Sequence, residues 1–168
     1  YMGLSGGAGQ LIDRGVLGVP GTPFALVMSR SIDFKGYDVL MLLNFYHNRH
    51  VRILLSLVQM AWDSVEASGV LASPVQEPIP RLLMQSGLGD PVVTSFAAEA
   101  LARAAGASTL PHNPRRVFGI PIADAANETS PGPRVTLTEL YYEEELPLLP
   151  IDDVFGPWNG VHYCVRKD

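Results

Sequence analysis

The amino-terminal segment Tyr1-Met2-Gly3-Leu4-Ser5-Gly6-Gly7 matches the pattern G-x-S-x-G. A serine at a sharp turn from a strand into a helix needs small neighbours two positions away, because the strained backbone leaves no room for larger ones. Such a turn projects the Ser5 hydroxyl and brings the Gly6 N–H beside a developing oxyanion. The pattern therefore predicts Ser5 as a nucleophile and Gly6 as an oxyanion donor. A flexible glycine turn is the alternative interpretation.

The segment after this turn is predicted to begin with a helix. Leu11, Ile12 and Val16 lie at helical spacing, which favours a helix over 10–17. Glycines and prolines within 18–23 should end it, and the apolar run 24–28 fits either a strand or a helix. From 37 to 68 the pattern predicts a helical hairpin, broken near 44–50. Its apolar stripe is Leu54, Leu57, Val58, Ala61, Trp62 and Val65.

The second half of the chain alternates strand and helix signals. The residues 73–80 are a proline-rich linker into a buried strand over 81–85, which a loop over 86–91 follows. Thr94 or Ser95 is placed to cap a helix that runs to about Ala105, where Gly106 ends it in the left-handed conformation. Alternation of apolar and polar residues over 134–142 predicts another strand. The expected fold class is therefore α/β.

Three residue types that can form a catalytic triad follow one another along the chain. Ser5 precedes Asp90, which stands in the glycine loop after a predicted strand, and His162 lies near the carboxyl terminus. Ser, Asp, His is the chain order of the α/β-hydrolase triad. The carboxyl edge of a parallel sheet is also where open α/β folds collect their active sites. Separately, Asp90 could be a simple turn residue or helix cap, and His162 an ordinary loop histidine.

The elbow 1–7, the loop Ser86-Gly87-Leu88-Gly89-Asp90-Pro91-Val92-Val93 with its alanine-rich helix, and the terminal segment 159–162 together resemble the carboxyl-terminal half of an α/β-hydrolase. The resemblance is nearest to bacterial esterase or lipase-like members. It implies about three strands with flanking helices and a helical cap-like insertion at 37–68. It also implies ester hydrolysis through an acyl-enzyme, with His162 as general base and acid and Asp90 fixing its tautomer.

The resemblance leaves other activities open and sets expectations about the rest of the protein. A peptidase or acyltransferase of the same fold, or a hydrolase-fold protein used for binding, fits the same residues. The strand that enters the elbow would end near Met2, so we expect a fragment whose missing part supplies the earlier strands and the second oxyanion N–H. The fragment alone should be inactive and prone to aggregation through its unpaired edge. Within a bacterium, a secreted or periplasmic location is favoured.

The helical insertion at 37–68 lies where hydrolases commonly carry a cap. One interpretation is that it roofs the site as a lid, with Leu40, Leu43, Phe45 and Trp62 lining an acyl pocket. The other is that the hairpin packs on the sheet as part of the core. The expected ligand is a small-molecule ester with an apolar acyl or alcohol part, and no cofactor is expected.

Composition excludes several classes of protein. The 168 residues are 47% hydrophobic and 17% charged, with a net charge of −5 and a single cysteine. These values favour a globular domain, and the absence of a basic run in the sequence argues against nucleic acid binding. No apolar run is long enough for a transmembrane helix, and one cysteine excludes an internal disulfide or a cysteine-based metal site.

The remaining candidate residues have ordinary interpretations. His47 and His50 are three apart, but no carboxylate completes a metal site, so exposure to solvent is expected. Asp152 and Asp153 are alternative acids for the triad. Cys164 has no nearby base and is not expected to act as a nucleophile, and no metal site is predicted.

Overall fold

The computed structural model of the chain describes residues 13–72, 80–123, 133–142 and 160–167. Its strands are β1 (Arg14–Gly18), β2 (Arg81–Gly87), β3 (Ser108–Thr109) and β4 (Val135–Leu140). Its α-helices are α1 (Phe24–Arg30), α2 (Lys35–Phe45), α3 (Asn48–Trp62), α4 (Ala67–Ala72), α5 (Ser95–Ala104) and α6 (Val161–Lys167), with a 3₁₀ turn at Ile32–Phe34 before α2. The described part of the chain is thus a mixed α/β fold, as the sequence predicts.

The four described strands form one sheet in the order β1-β2-β4-β3, and every neighbouring pair is parallel. Leu17 aligns with Met84, and Met84 aligns with Leu137. All carboxyl ends therefore meet at one edge of the sheet, the place where an α/β fold gathers functional side chains. The short strand β3 is absent from the sequence prediction, because two residues carry too little periodicity to be recognised.

The predicted helix over 10–17 is wrong for its described part, since Arg14–Gly18 is the strand β1. The segment Arg-Gly-Val-Leu-Gly holds two glycines, which disfavour a helix, and its backbone pairs in register with β2 from Arg14 opposite Arg81 onward. Pairing with a neighbouring strand overrides a short helical spacing, because five residues are too few for periodicity to decide. Residues 10–12 lie outside the described residues.

The helical prediction over 37–68 holds for most of its length. The ambiguous run at 24–28 is the helix α1, and the hairpin consists of α2 and α3, which break at Tyr46 in the left-handed conformation (φ 58°). The side chain of His47 accepts a hydrogen bond from the Arg49 N–H and so caps α3. Two aromatic contacts stabilise this region. The ring of Phe24 lies edge-on to that of Trp62, with ring centres 5.0 Å apart, and edge-on to that of Phe34, with ring centres 5.6 Å apart.

The core lies between the sheet and α5. Met84, Val135 and Leu137 share one face of the sheet and pack against Leu101 and Ala102 of α5, all of them buried. The alanine-rich sequence of α5 lets the helix approach the sheet closely. The predicted helix end is confirmed, because Gly106 adopts the left-handed conformation (φ 62°) that glycine takes without steric cost. Thr94 is the N-cap of α5, although its side chain makes no capping hydrogen bond.

The opposite face of the sheet is covered differently. The side chain direction alternates along a strand, so position 87 of β2 faces away from Met84, and there Val161 and Val165 of α6 pack closely against the sheet. Farther along the same face Val16 of β1 is 61% exposed. Among the described residues β1 is an edge strand of the sheet. No helix in the described ranges is long and apolar enough to cross a membrane.

Candidate functional site

The structure brings two of the predicted triad residues together at the carboxyl edge of the sheet. The Asp90 Oδ2 atom lies 2.9 Å from His162 Nδ1, although the two residues are far apart in sequence. The side chain of Asp90 is fully buried, and that of His162 is 13% exposed. One imidazole nitrogen is therefore held by a carboxylate within the fold, which leaves the other nitrogen to meet a reacting group.

The loop after β2 positions Asp90. The Leu88 N–H bonds to the Leu140 carbonyl and continues the β2–β4 ladder by one residue, and Gly89 then turns in the left-handed conformation (φ 78°). The Asp90 Oδ1 atom accepts hydrogen bonds from the Val92 N–H at 2.7 Å and the Val93 N–H at 3.0 Å. Asp90 is thus a turn residue, as one sequence interpretation held, and its second oxygen still binds His162.

Burial and hydrogen bonding act on the Asp90 carboxyl in opposite directions. Burial raises the pKa of Asp90 above its ordinary value, because a charge is costly where water is excluded. The backbone N–H groups of Val93 and Val92 and the side chain of His162 each lower that pKa, and their combined effect is smaller than that of burial. The charged form of Asp90 therefore depends on these hydrogen bonds, and it favours the His162 tautomer whose Nδ1 carries the hydrogen.

The helix α6 holds His162 over the loop. His162 is the second residue of α6, and Val161 and Val165, one turn apart, are both buried against Gly87. A Cβ atom at position 87 would meet the Val161 and Val165 methyl groups. Only glycine at this position lets the helix come close enough for His162 to reach Asp90. The sequence prediction treated Gly87 as a loop residue and missed this role, for which a strand-ending glycine before the acid was the available signal.

The loop after β1 and the start of the hairpin lie beside the Asp90 loop. The Ile32 N–H bonds to the Pro91 carbonyl at 2.9 Å, and the Thr22 N–H bonds to the Ala97 carbonyl at 3.2 Å. Gly21 lies against the Val93 side chain, where a Cβ atom would be 2.5 Å from Val93 Cγ1. The segment between β1 and β2 thus begins at the candidate site. Its 3₁₀ turn is hydrogen-bonded to Pro91 through Ile32 and continues directly into α2.

The residues predicted to line an acyl pocket differ in exposure. Leu40 is 56% exposed, Leu43 67% and Phe45 40%, so α2 presents apolar side chains to solvent. Trp62 is half-buried, and its ring contacts Phe24 of α1. Apolar residues on all sides of a helix are typical of a helix that is buried against other parts of a protein.

The nucleophile and its oxyanion donor, Ser5 and Gly6, lie outside the described residues, as do the alternative acids Asp152 and Asp153. His112 is exposed. The His50 Nδ1 atom lies 3.1 Å from the Phe45 carbonyl oxygen, and among the described residues no group of three metal-ligating side chains occurs. Cys164 is partly buried on α6, two residues beyond His162.

A buried ionic network behind the site was not predicted. Glu139 of β4 and Glu99 of α5 are both nearly inaccessible, and Arg115 bridges them at 2.8 Å and 2.6 Å. Asn113 donates to Glu139 as well, and Arg103 pairs with Glu99 at 2.8 Å. The network ties the loop 110–118 to the sheet. The even alternation of β4 placed Glu139 on the same face as Val135 and Leu137, which was the one signal in the sequence.

Comparison with known proteins adds no relative. No model of a known protein family matches the chain, and no curated protein or solved structure matches it either.

Proposed function

We propose that this chain carries the acid and the general base of a serine hydrolase of the α/β-hydrolase fold, which cleaves a carboxylic ester through an acyl-enzyme at Ser5. The observation that supports the proposal best is the hydrogen bond of 2.9 Å between buried Asp90 and His162 at the carboxyl edge of a parallel sheet. A histidine oriented by a buried carboxylate is the general base that activates a serine hydroxyl.

The sheet order is compatible with a nucleophile beside β1. If the strand that ends before Ser5 pairs with the open edge of β1, it lies two strands from β2, about 9 to 10 Å at the usual spacing. His162 would bridge this gap, with Nδ1 bound to Asp90 and Nε2 turned toward Ser5. The base takes the hydroxyl proton as the serine attacks the ester carbonyl, and it returns that proton to the departing alcohol. Water then releases the acyl group by the same two proton transfers.

Asp90 has two tasks in this proposal. Its Oδ2 atom accepts from the Nδ1–H of His162, so that the unprotonated Nε2 is the one that meets the serine. Its negative charge also stabilises the imidazolium that forms during attack. The Val92 and Val93 N–H groups keep Oδ1 occupied, so the carboxylate cannot rotate without losing them.

An ester with an apolar acyl or alcohol part fits the surroundings of the site. The 3₁₀ turn before α2 is hydrogen-bonded to the Asp90 loop, and α2 exposes Leu40 and Leu43. In the proposed enzyme these side chains, with Phe45 and Trp62, form the wall of an acyl pocket beneath the hairpin. Burying an apolar acyl chain there would cover surface that otherwise faces water.

The second candidate is a hydrolase-fold protein that binds a ligand without catalysis, and one observation favours it. Only the eight residues 6–13 separate Ser5 from the start of β1, whereas a crossover between parallel strands usually takes a dozen or more. As a continuous helix these residues would span about 12 Å, less than the roughly 17 Å length of a five-residue strand. So short a connection does not fit the full helix that usually follows a nucleophile elbow, and this favours the binding protein.

Ester turnover separates the two candidates. The full-length protein is assayed on p-nitrophenyl butyrate beside Ser5→Ala, His162→Ala and Asp90→Asn, with Asp33→Asn as a matched exposed control. The enzyme is supported if Ser5→Ala and His162→Ala abolish turnover, Asp90→Asn lowers it by on the order of 10⁴-fold, and the control keeps the full rate. Saturable ester binding without any turnover would support the binding protein instead.

A further inference from the structure

The outward face of α3 carries two neighbouring rows of side chains with a groove between them. Residues four apart on a helix form a ridge along its surface. The six residues of two such ridges line a groove of about 500 Å³: Arg49, Ile53 and Leu57 form one ridge, and Arg52, Ser56 and Met60 form the other. The short side chain of Ser56 stands in the middle of its ridge, which deepens the groove at that point.

The apolar residues of the groove are exposed, although α3 is also apolar on its opposite side. Val51 and Leu55 are buried in the fold, whereas Ile53, Leu57 and Met60 are each more than half exposed. A helix that is apolar on both sides is typical of one that is covered on both sides. A groove between two i, i+4 ridges is the shape that receives a ridge of another helix.

Charge distinguishes one end of the groove. Arg49 and Arg52 begin the two ridges, and both are exposed. Neither forms an ion pair with a side chain in the described ranges. The sequence of α3 contains no Asp or Glu, although the whole chain has a net charge of −5. The amino-terminal end of the helix dipole adds positive potential at the same place. A complementary partner therefore carries carboxylates over this end, since Arg binds a carboxylate through paired N–H donors.

We infer that the groove on α3 binds an amphipathic helix of a partner protein. An apolar ridge of that helix lies between the exposed side chains of Ile53, Leu57 and Met60, and its carboxylates pair with Arg49 and Arg52. Helices whose i, i+4 ridges interdigitate in this way cross at about −50°. A membrane surface also attracts a face that is both basic and apolar, but it makes no use of a groove. The inference does not depend on the proposed hydrolase, because every lining residue belongs to α3.

The test is binding of a synthetic helix to the full-length protein, followed by fluorescence anisotropy at low salt. The probe is a labelled peptide of about three heptads, with Leu at the apolar positions and Glu beside them, and a second peptide has Lys in place of every Glu. The acidic peptide should bind saturably and about tenfold more tightly than the basic one, because like charges at the arginine end repel. Added salt should weaken its binding, since the arginines are exposed.

Substitutions distinguish the groove from a merely sticky surface. Leu57→Ala and Arg52→Gln should each weaken binding of the acidic peptide by about tenfold, because each removes a central contact. Ser56→Phe should weaken it at least as much, since the ring fills the groove while every charge and apolar side chain remains. Phe118→Ala and Arg116→Gln are the matched controls on the exposed loop 110–118, and their affinity should stay within about twofold.

All five substitutions change exposed side chains, so the circular dichroism spectra should match that of the unmodified chain. Equal affinity for the acidic and basic peptides, or binding that Ser56→Phe leaves intact, would overturn the inference. Absence of saturable binding would overturn it as well. Vesicles of phosphatidylcholine and phosphatidylserine are the third probe. If the protein binds these vesicles and not the acidic peptide, and Ser56→Phe strengthens that binding, the face serves a membrane and the inference is wrong.

Discussion

Replacing Gly87 by alanine should separate His162 from Asp90 without substituting either residue. A Cβ atom at this position would lie 2.9 Å from Val165 Cγ2 and closer still to Val161. Carbon atoms normally approach to about 3.5 to 4.0 Å, so relief of the closer contact, with Val161, requires α6 to move outward by about 1 Å or more. This movement carries His162 away from Asp90, whose hydrogen bond begins at 2.9 Å.

Two effects on the free energy of unfolding follow from Gly87→Ala. Crowding a close contact costs about 1 to 3 kcal/mol, while removing a glycine from the unfolded chain returns about 0.4 to 1 kcal/mol. The net expectation is a loss of between about 0 and about 2.6 kcal/mol, centred on about 1.3 kcal/mol. In the proposed enzyme the displaced base should also lower ester turnover by about 10²-fold, the usual consequence of a misplacement near 1 Å.

The matched control for this prediction is Gly18→Ala, at the end of the neighbouring strand β1. A Cβ atom at Gly18 meets nothing within 4 Å, so this variant should keep its stability or gain slightly. Urea denaturation gives both free energies, and the proton and nitrogen resonances of the His162 ring report its hydrogen bond to Asp90. If Gly87→Ala keeps both the resonances and the stability of the unmodified chain, the close contact of α6 with β2 does not position His162.

Other substitutions test separate features of the fold and of the proposed site. Burial raises the pKa of Asp90 above its ordinary value of 3.8, so between that value and the raised one the folded chain binds more protons than the unfolded chain. The free energy of unfolding should therefore fall as pH rises through this window. Urea melts at stepped pH should show that fall in the unmodified chain and not in Asp90→Asn. Glu139→Gln should cost about 2 to 3 kcal/mol in the same assay, because it breaks a buried pair whose partner Arg115 keeps some solvent, and an unchanged midpoint would contradict this. If the hairpin lines the acyl pocket, Leu43→Ala should shift the ratio of rates on butyrate and octanoate esters by about ten-fold or more. Trp62→Ala should shift that ratio too, and a loss of stability with unchanged ratios in both variants would instead place the hairpin in the core.

The parts of the fold that the sequence predicts are those with local signals. The helix over 95–104, its end at Gly106 and the strand after Arg134 carry their own caps, glycines and alternation, and the structure confirms them. The strand β1 was missed because its five residues owe their conformation to pairing with β2, a contact that no local pattern encodes. The turn at Asp90, in contrast, is predictable, because its glycines and Pro91 are local signals.

For the candidate site, the chain order of residue types predicted that Asp90 and His162 would meet, and the structure places them 2.9 Å apart. What holds them there was not predictable, because it depends on packing between distant segments. Gly87 admits α6, and Pro91 binds the turn that leads into α2.

We propose that His162, oriented by Asp90, activates Ser5. The most direct test is labelling with a fluorophosphonate probe, which reacts only with an activated serine, followed by mass spectrometry of the tryptic peptides. In the full-length protein we expect a single adduct on Ser5 that disappears in His162→Ala and forms far more slowly in Asp90→Asn. A folded protein that shows no adduct on Ser5, or an adduct that forms at the same rate in His162→Ala, would contradict it.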